Sequence, residues 1–300
     1  MEKLSIKNFA GLKQVELEPG PITGLIGPQA SGKSIVAKLL YFFREIASHL
    51  PAAVIADSLS PEEYRAECSE RFFRYFPVET RDTQTSIEAR GFFSSAEPTP
   101  AADARRVDAL RSALGSILSA ELVREKKQDL LEFADGRRVK LAQASSGQQE
   151  ALPLLLFLAR FLLLAHSRGR AVYIEEPEAH LFPSTQKLIV ELMARAFRRR
   201  KDEMRLTITT HSPYILTSMN NLLQAGKIYA AAPGAARRRL AQVVRPTDIL
   251  RPGEVAFFAL ENGGAKPILD PETGLIDASA IDQVSNDIAI QFDKLLAEGQ

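Results

Sequence analysis

The chain has 300 residues, a formal net charge of +1 and one cysteine. Hydrophobic residues make up 45% of it and charged residues 25%, which excludes a disordered chain and is typical of one globular domain. Cys68 cannot form an internal disulfide, and the small net charge gives no overall attraction to nucleic acid. Since residues 1–12 lack the apolar core of a signal peptide, we expect a cytoplasmic protein.

The first motif is a phosphate-binding loop between a strand and a helix. Alternating stretches predict strands at 3–9 and 14–18, and a third, apolar strand at 22–26 leads into the loop. The loop has the P-loop spacing, in which backbone amides hold the phosphates, Lys33 reaches the β- and γ-oxygens and Ser34 ligates Mg²⁺. Helical periodicity follows at once. The predicted nucleotide-binding residues are Gly27, Pro28, Gln29, Ala30, Ser31, Gly32, Lys33, Ser34 and Ile35.

The region from about 51 to 140 has a different character and predicts an inserted lid or short arm. A joint rich in small residues and proline lies at 94–104. After it, an apolar stripe predicts one helix face, made of Val107, Leu110, Leu114, Ile117 and Leu122. The Asp135-Gly136 pair then predicts a tight turn between two strands within 130–141.

Next comes an apolar segment at 151–165. It is shorter than the roughly 20 residues that span a membrane and contains Arg160, so we expect a buried core helix and no membrane insertion. Short apolar or β-branched runs at 171–174 and 206–210 predict central strands of a parallel sheet. The helical pattern at 183–200 between them completes a parallel crossover unit.

Two basic clusters and the tail complete the chain. Residues 195–201 and 237–239 are either solvated helix ends or contacts for nucleic acid, and the sequence leaves both readings open. For about 250–300 we expect a C-terminal helical extension. Its apolar stripe consists of Ile281, Val284, Ile288, Phe292 and Leu295.

Charged residues end both predicted central strands. Glu175 and Glu176 follow the first strand, where a hydrophobic sheet has no use for adjacent charges unless they are ion-paired. Glu175 suits contact with Mg²⁺, and Glu176 suits deprotonation of the water that attacks the γ-phosphate. His211 ends the next strand, and parallel strand ends meet at one crevice. The predicted catalytic residues are therefore Lys33, Glu176 and His211, and His211 is predicted to act as a γ-phosphate sensor.

A further anion-binding pattern lies at 144–150, with the sequence ASSGQQE. Two hydroxyls and a glycine at a helix start can bind a phosphate, although the same residues also serve as a helix cap.

Taken in chain order, these four motifs resemble the ATP-binding cassette superfamily. More narrowly, they are similar to its SMC, RecF and OLD-like AAA-family ATPases, especially the ATPase subunits of Septu- and retron-type anti-phage systems. The motifs cover residues 1 to about 228. The resemblance implies an α/β fold, a P-loop NTPase of SMC-head-like architecture with a mixed or parallel sheet core. It implies one domain over 1–300, with the insertion and the C-terminal extension described above.

The resemblance also implies an ATP-dependent homodimer. In such families two heads enclose two ATP molecules, and the phosphate loop of one head faces the signature stretch of the other. The trans signature would consist of Ser145, Ser146, Gly147 and Gln148. Glu176 would be the catalytic glutamate, Glu175 the acid on the metal side with Ser34, 177–180 the loop linking the heads, and His211 the switch histidine.

This sequence departs from the commoner cassette pattern at three positions. Gln148 occupies the second glycine of the signature, and Ser145 replaces its leading leucine. Glu175 stands where most cassettes have aspartate, so its contact with the metal would run through water. Gln84 is a candidate lid glutamine, and Phe9 is a weak candidate for stacking on adenine.

We expect an ATPase with Mg²⁺ as cofactor that gates a partner effector, such as a nuclease, or a DNA transaction in anti-phage defence or DNA repair. Two alternatives remain. One is the nucleotide-binding subunit of a membrane transporter, which the motifs at 144–150 and 173–181 disfavour. The other is an OLD-like nuclease, for which residues 212–300 are short.

Overall fold

The computed structural model describes residues 2–56, 60–76, 86–90, 112–125, 128–163, 170–199, 204–277, 290–292 and 294. In chain order the strands are β1 (Lys3–Phe9), β2 (Leu12–Leu17), β3 (Ile22–Ile26), β4 (Ser86–Arg90), β5 (Glu121–Glu125), β6 (Gln128–Glu132), β7 (Arg138–Lys140), β8 (Arg170–Glu175), β9 (Met204–Thr210), β10 (Val255–Glu261) and β11 (Gly264–Pro267). The helices are α1 (Lys33–Ala56), α2 (Pro61–Tyr75), α3 (112–118), α4 (Ser146–Leu163), α5 (Pro183–Arg199), α6 (Pro213–Ala231) and α7 (Gly234–Val243).

A mixed sheet of eight strands forms the centre, in the order β4-β1-β2-β11-β10-β3-β9-β8. The last four strands of this order run parallel to one another. The predicted strand-helix-strand crossover is present as β8, α5 and β9. Because the phosphate loop joins β3 to α1 within this sheet, the predicted α/β class and P-loop architecture are confirmed.

Helices cover both faces of the sheet because side chains alternate along its strands. In β3, Ile22 and Ile26 face a core formed with α4, α5 and α6. Leu25, on the opposite face, packs with Leu39 and Leu40 of α1. The parallel strands are therefore buried on both faces, as their continuous apolar sequences predict.

The region predicted as an insertion contributes to more than one part of the fold. Its helix α2 packs on α1, and β4 extends the central sheet beside β1. The strands β5, β6 and β7 form a separate antiparallel sheet, and the predicted turn at Gly136 joins β6 to β7. The predicted helix face is wrong at Leu122, which lies in β5, whereas Val107 and Leu110 lie outside the described residues.

Phe9 is not available for stacking on adenine. Its side chain is 1% exposed and contacts the rings of Phe72 and Phe76 in the core beside α2. The sequence prediction was therefore wrong, because Phe9 is buried in the core at the end of β1, directly after the left-handed backbone of Asn8 interrupts the strand alternation.

The predicted apolar core helix is α4, but only one of its faces is buried. Leu155 and Leu158 are fully buried, whereas Leu156 and Phe157 are exposed. No helix in the described part of the chain has the length and apolar character needed to span a bilayer.

The helical extension predicted from about residue 250 is wrong for 255–267. These residues form β10 and β11, and β10 pairs with β3 next to the phosphate loop. The run from Val255 to Leu260 is apolar with two aromatic residues, and Asn262 and Gly263 both have positive φ, as a tight hairpin turn requires. Of the predicted C-terminal stripe, only Phe292 lies within the described residues, and it is helical.

Candidate functional site

The candidate site lies at the carboxyl ends of β3, β9 and β8. Ile26 of β3 pairs with Thr210 of β9, and Thr209 pairs with Glu175 of β8. The phosphate loop, His211 and Glu176 therefore start from the same level of the sheet. This is the common crevice that parallel strand ends predict.

Lys33 is hydrogen-bonded to the backbone of the phosphate loop itself. Lys33 is 5% exposed, and its Nζ donates hydrogen bonds to the carbonyl oxygens of Gly27 and Pro28, both at 2.8 Å. Gly27 has a φ of 146°, and a Cβ placed there would lie 2.3 Å from the carbonyl oxygen of Leu260. The first glycine of the loop is thus required for the backbone turn and for close packing against β10.

The remaining predicted loop residues surround this turn. Pro28, Gln29 and Ala30 form the exposed tip, and Ser31, Gly32, Ser34 and Ile35 are partly buried. The Ser31 hydroxyl is buried and has no hydrogen-bond partner among the described residues.

Burial lowers the pKa of Lys33 from its ordinary value, and the charges of Glu176 and Glu178 oppose this shift by stabilising the ammonium group. Both carboxylates are therefore close enough to the lysine to influence it. Lys33, the predicted phosphate-binding lysine, and these two acidic groups therefore interact electrostatically.

Ser34 and Glu175, the two predicted metal ligands, lie in contact. The Ser34 hydroxyl donates a hydrogen bond of 3.1 Å to Oε2 of Glu175. Hydroxyl and carboxylate oxygens are ligands that Mg²⁺ accepts, and the ion usually completes its shell with water and nucleotide phosphates. The described residues contain no cluster of three or more His, Cys, Asp or Glu that could hold a metal ion. The pair therefore fits Mg²⁺ only as part of a shared shell.

Glu176 occupies a sharp turn at the end of β8. Its φ is 46°, which is uncommon for a residue with a side chain, and its N–H donates to the Thr209 carbonyl at 2.9 Å. The turn separates the two adjacent glutamates, since Glu175 contacts Ser34 whereas Oε1 of Glu176 lies 3.6 Å from Nδ1 of His211. His211 is 56% exposed, so its ring is accessible to a ligand.

The predicted signature stretch starts helix α4 and forms a reciprocal cap. The Gln148 N–H donates to Oγ of Ser145, and the Ser145 N–H donates to Oε1 of Gln148. The cap occupies both side chains, whereas Ser146 is exposed. A Cβ on Gly147 would lie 2.5 Å from the carbonyl oxygen of His180, so local packing already requires a glycine there.

The loop 177–180 contacts the end of β9 through Glu178, a contact that the sequence did not predict. Glu178 is buried and accepts hydrogen bonds from the hydroxyl of Thr210 and the N–H of His211. The sequence signal for this residue is a further carboxylate two positions after Glu176, within the segment that the resemblance assigns only as a loop linking the heads. Nearby, Nε2 of His180 lies 3.4 Å from Glu150 on α4.

The basic cluster at 195–201 is largely neutralised in its described part. Arg195 forms two hydrogen bonds with Asp248, whose side chain is 1% exposed, and Arg198 binds Glu254. Both arginines therefore anchor the segment after α7 and are not free for nucleic acid, which corrects that reading for them. The second cluster, at 237–239, is exposed on α7. The candidate lid glutamine Gln84 lies outside the described residues.

A family model described as an AAA ATPase domain matches residues 81–216, less than half of the chain. The matched range includes the signature stretch, the paired glutamates and His211, and it begins after the phosphate loop. No curated protein matches the chain.

Among solved structures, the chain is similar to an SMC head bound to the C-terminal winged-helix domain of ScpA, with 13% identity, coverage of 89% of this chain and 96% of that one, and a TM-score of 0.43. An SMC head domain from Thermotoga maritima has 11% identity and a TM-score of 0.39, with coverage of 89% of this chain and 97% of that one. A bacterial ABC transporter cassette in a dimeric structure has 13% identity and a TM-score of 0.35, with coverage of 89% of this chain and 97% of that one. At these identities and TM-scores the site has to be interpreted from its own geometry.

Proposed function

We propose that the chain binds ATP with Mg²⁺ at the carboxyl edge of β3, β9 and β8 and hydrolyses it to ADP and phosphate. One observation carries this proposal: the phosphate loop, two carboxylates on one strand end and an accessible imidazole on the next share a single edge. These are the groups that phosphoryl transfer to water needs, since its catalysis depends on positioning and on stabilising charge.

Lys33 would bind the phosphates. Its ammonium group now donates to the loop carbonyls of Gly27 and Pro28, and in the complex it would turn to the β- and γ-oxygens of ATP. The backbone amides of the loop and the N-terminus of α1 would supply the remaining donors. Ser34 and Glu175 would hold Mg²⁺, directly or through water, and the bound ion would neutralise charge on the phosphates.

Glu176 would act as the general base. Its carboxylate would take a proton from a water molecule whose oxygen attacks the γ-phosphorus, while the bond to the bridging β–γ oxygen breaks and ADP leaves. The left-handed backbone at Glu176 directs it away from Glu175, so metal binding and proton transfer fall to different carboxylates. His211, beside Glu176, would contact the γ-phosphate.

A binding experiment tests the nucleotide site. Calorimetric titration with ATP and Mg²⁺ should show binding to the unaltered protein and none to Lys33→Ala, because the buried ammonium group would contact the β- and γ-phosphates. Lys38→Ala is the matched control, since Lys38 is exposed on the same helix. Equal ATP affinity in Lys33→Ala and Lys38→Ala would contradict the proposed site.

We further propose that ATP joins two copies head to tail, with Ser146 of one copy contacting the γ-phosphate held by the other. Two features support this. The Ser146 hydroxyl is exposed at a capped helix start, where backbone N–H groups favour anions. The phosphate loop would supply donors to one side of the γ-phosphate, and a second head could supply donors to the other.

What the ATPase would control is a partner effector, such as a nuclease, or a DNA transaction in anti-phage defence or DNA repair. The motif resemblance to Septu- and retron-type ATPases motivates the defence role. The transporter alternative would require a membrane partner. The nuclease alternative would require acidic metal ligands after His211. Asp270, an acidic residue of that region, instead caps a turn by accepting from the N–H groups of Glu272 and Thr273.

For DNA, the structure favours a surface other than residues 195–201. From Met204 to Thr247 the chain has no Asp or Glu. It has Arg205, Lys227, Arg245 and the three arginines of α7, all three of which are exposed. Since α7 buries none of its residues, this helix offers phosphate contacts without loss of packing.

A further inference from the structure

Glu178 is a buried carboxylate directly beneath the candidate site, and the proposed chemistry does not use it. Its side chain is 4% exposed. Oε1 accepts hydrogen bonds of 2.7 Å from the Thr210 hydroxyl and 2.8 Å from the His211 N–H. Oε2 is buried and has no hydrogen-bond partner among the described residues. Burying a carboxylate is costly, so a residue kept there without full pairing calls for a specific role.

The contacts of Glu178 belong to a closed polar ring. The Thr210 hydroxyl accepts from the N–H of Ser212, and the Ser212 hydroxyl donates to Oε1 of Gln186 at 2.6 Å. Nε2 of Gln186 donates back to the carbonyl of Leu181, next to the loop 177–180. The ring fixes the loop after β8 against the loop after β9. The His211 backbone is therefore held by buried groups that are tied to both loops.

The imidazole of His211 faces two carboxylates with the same nitrogen. Nδ1 lies 3.4 Å from Oε1 of Glu178 and 3.6 Å from Oε1 of Glu176. Neither contact is a hydrogen bond in this structure, but the two carboxylates on this side of the ring favour a hydrogen on Nδ1 electrostatically. In a histidine the hydrogen on one ring nitrogen affects what the other nitrogen can bind. Nε2, on the other side of the ring, is left for a ligand.

We propose that Glu178 is the positioning residue of His211: it holds the strand end through Thr210 and the His211 N–H, and it keeps a hydrogen on Nδ1 so that Nε2 meets the γ-phosphate. When Nε2 also carries a hydrogen, the ring donates to a phosphate oxygen, and the charges of Glu176 and Glu178 balance its positive charge. This inference rests on the proposed ATPase function for its kinetic consequence, but the contact itself does not depend on it.

A spectroscopic experiment tests the contact without any ATPase assay. The chain has four histidines, so nitrogen NMR signals of the nucleotide-free protein can be assigned by replacing each in turn. At alkaline pH, where the rings are neutral, His211 should carry its hydrogen on Nδ1 in the unaltered protein. In Glu178→Gln the share with the hydrogen on Nε2 should rise, because an amide oxygen attracts the Nδ1 hydrogen less than a carboxylate. A predominant Nε2–H form in the unaltered protein would overturn the proposal. This measurement does not need the variant, so it decides the question even if Glu178→Gln fails to fold.

A double-mutant cycle then tests whether Glu178 acts through His211. Glu178→Gln should lower kcat about 10-fold to 100-fold, by analogy with the loss of a carboxylate that orients a metal-binding histidine, and should leave ATP affinity nearly unchanged. In the His211→Ala background the same change should have a much smaller effect, limited to the loss of the Glu178 charge near Lys33. An undiminished kcat in Glu178→Gln, or an equal loss in both backgrounds, would overturn the proposal. Absence of hydrolysis in the unaltered protein would instead contradict the proposed function, and the NMR result would still decide the contact.

Discussion

Gly147 allows the packing explanation of the signature stretch to be tested apart from its proposed role toward a second head. A Cβ at this position would lie 2.5 Å from the His180 carbonyl oxygen and 3.3 Å from Cδ2 of Leu181. Backbone rather than a flexible side chain blocks the space, so the loop 177–180 or the start of α4 has to move by at least about 0.5 Å to reach even the tightest contacts that real Cβ atoms make. Overpacking of this kind typically costs about 1–3 kcal/mol.

For Gly147→Ala we therefore expect a lower melting temperature in the absence of nucleotide. In a domain of this size each kcal/mol corresponds to about 2–4 °C, so the expected decrease is about 2–12 °C. Gly234→Ala is the matched control, because a Cβ at this first residue of α7 meets no atom within 4 Å and alanine favours a helix. Circular dichroism on heating measures both. A Gly147→Ala protein that melts with the control would refute the packing role and leave only a contact made in trans.

Two further predictions concern the proposed partners. Mixing Ser146→Arg with Lys33→Ala should restore partial ATP hydrolysis through one intact composite site per heterodimer, whereas no recovery at any ratio, with both proteins folded, would count against a shared site. Arg238→Glu with Arg239→Glu should weaken binding to a 30-base-pair DNA duplex. The slope of log K against log salt concentration should become less steep by about 0.9 for each phosphate contact that is lost. Arg71→Glu with Arg74→Glu, an equal charge change on α2, should bind as the unaltered protein does, and equal losses in both would argue against a surface on α7.

The sequence predicted well which residues come together at the strand ends. The phosphate loop and the strand-helix-strand unit each have a local pattern, and parallel strands necessarily bring Glu176 and His211 to one edge. The same reasoning failed at β10, although an apolar run followed by Asn262 and Gly263 was a usable hairpin signal.

Other features could not be predicted because they depend on distant pairing. Arg195 is separated from its partner Asp248 by most of β9, α6 and α7, so the cluster around it looked like a free basic surface. In the sequence Glu178 looks like any other loop carboxylate. Only the fold shows that it is buried and accepts hydrogen bonds from the Thr210 hydroxyl and the His211 N–H. Gly147 matched a signature by resemblance, and the structure adds a steric reason that the sequence does not contain.

Steady-state phosphate release from ATP and Mg²⁺ by the Glu176→Gln protein tests the central claim most directly. The account predicts that the unaltered protein releases phosphate and that Glu176→Gln retains ATP binding but loses about 10²-fold to 10⁴-fold of the rate, because an amide cannot take the proton of the attacking water. Glu16→Gln, which changes an exposed carboxylate on β2, should keep the full rate. A Glu176→Gln protein that hydrolyses ATP as fast as the Glu16→Gln control would contradict the assignment of the base and the mechanism built on it.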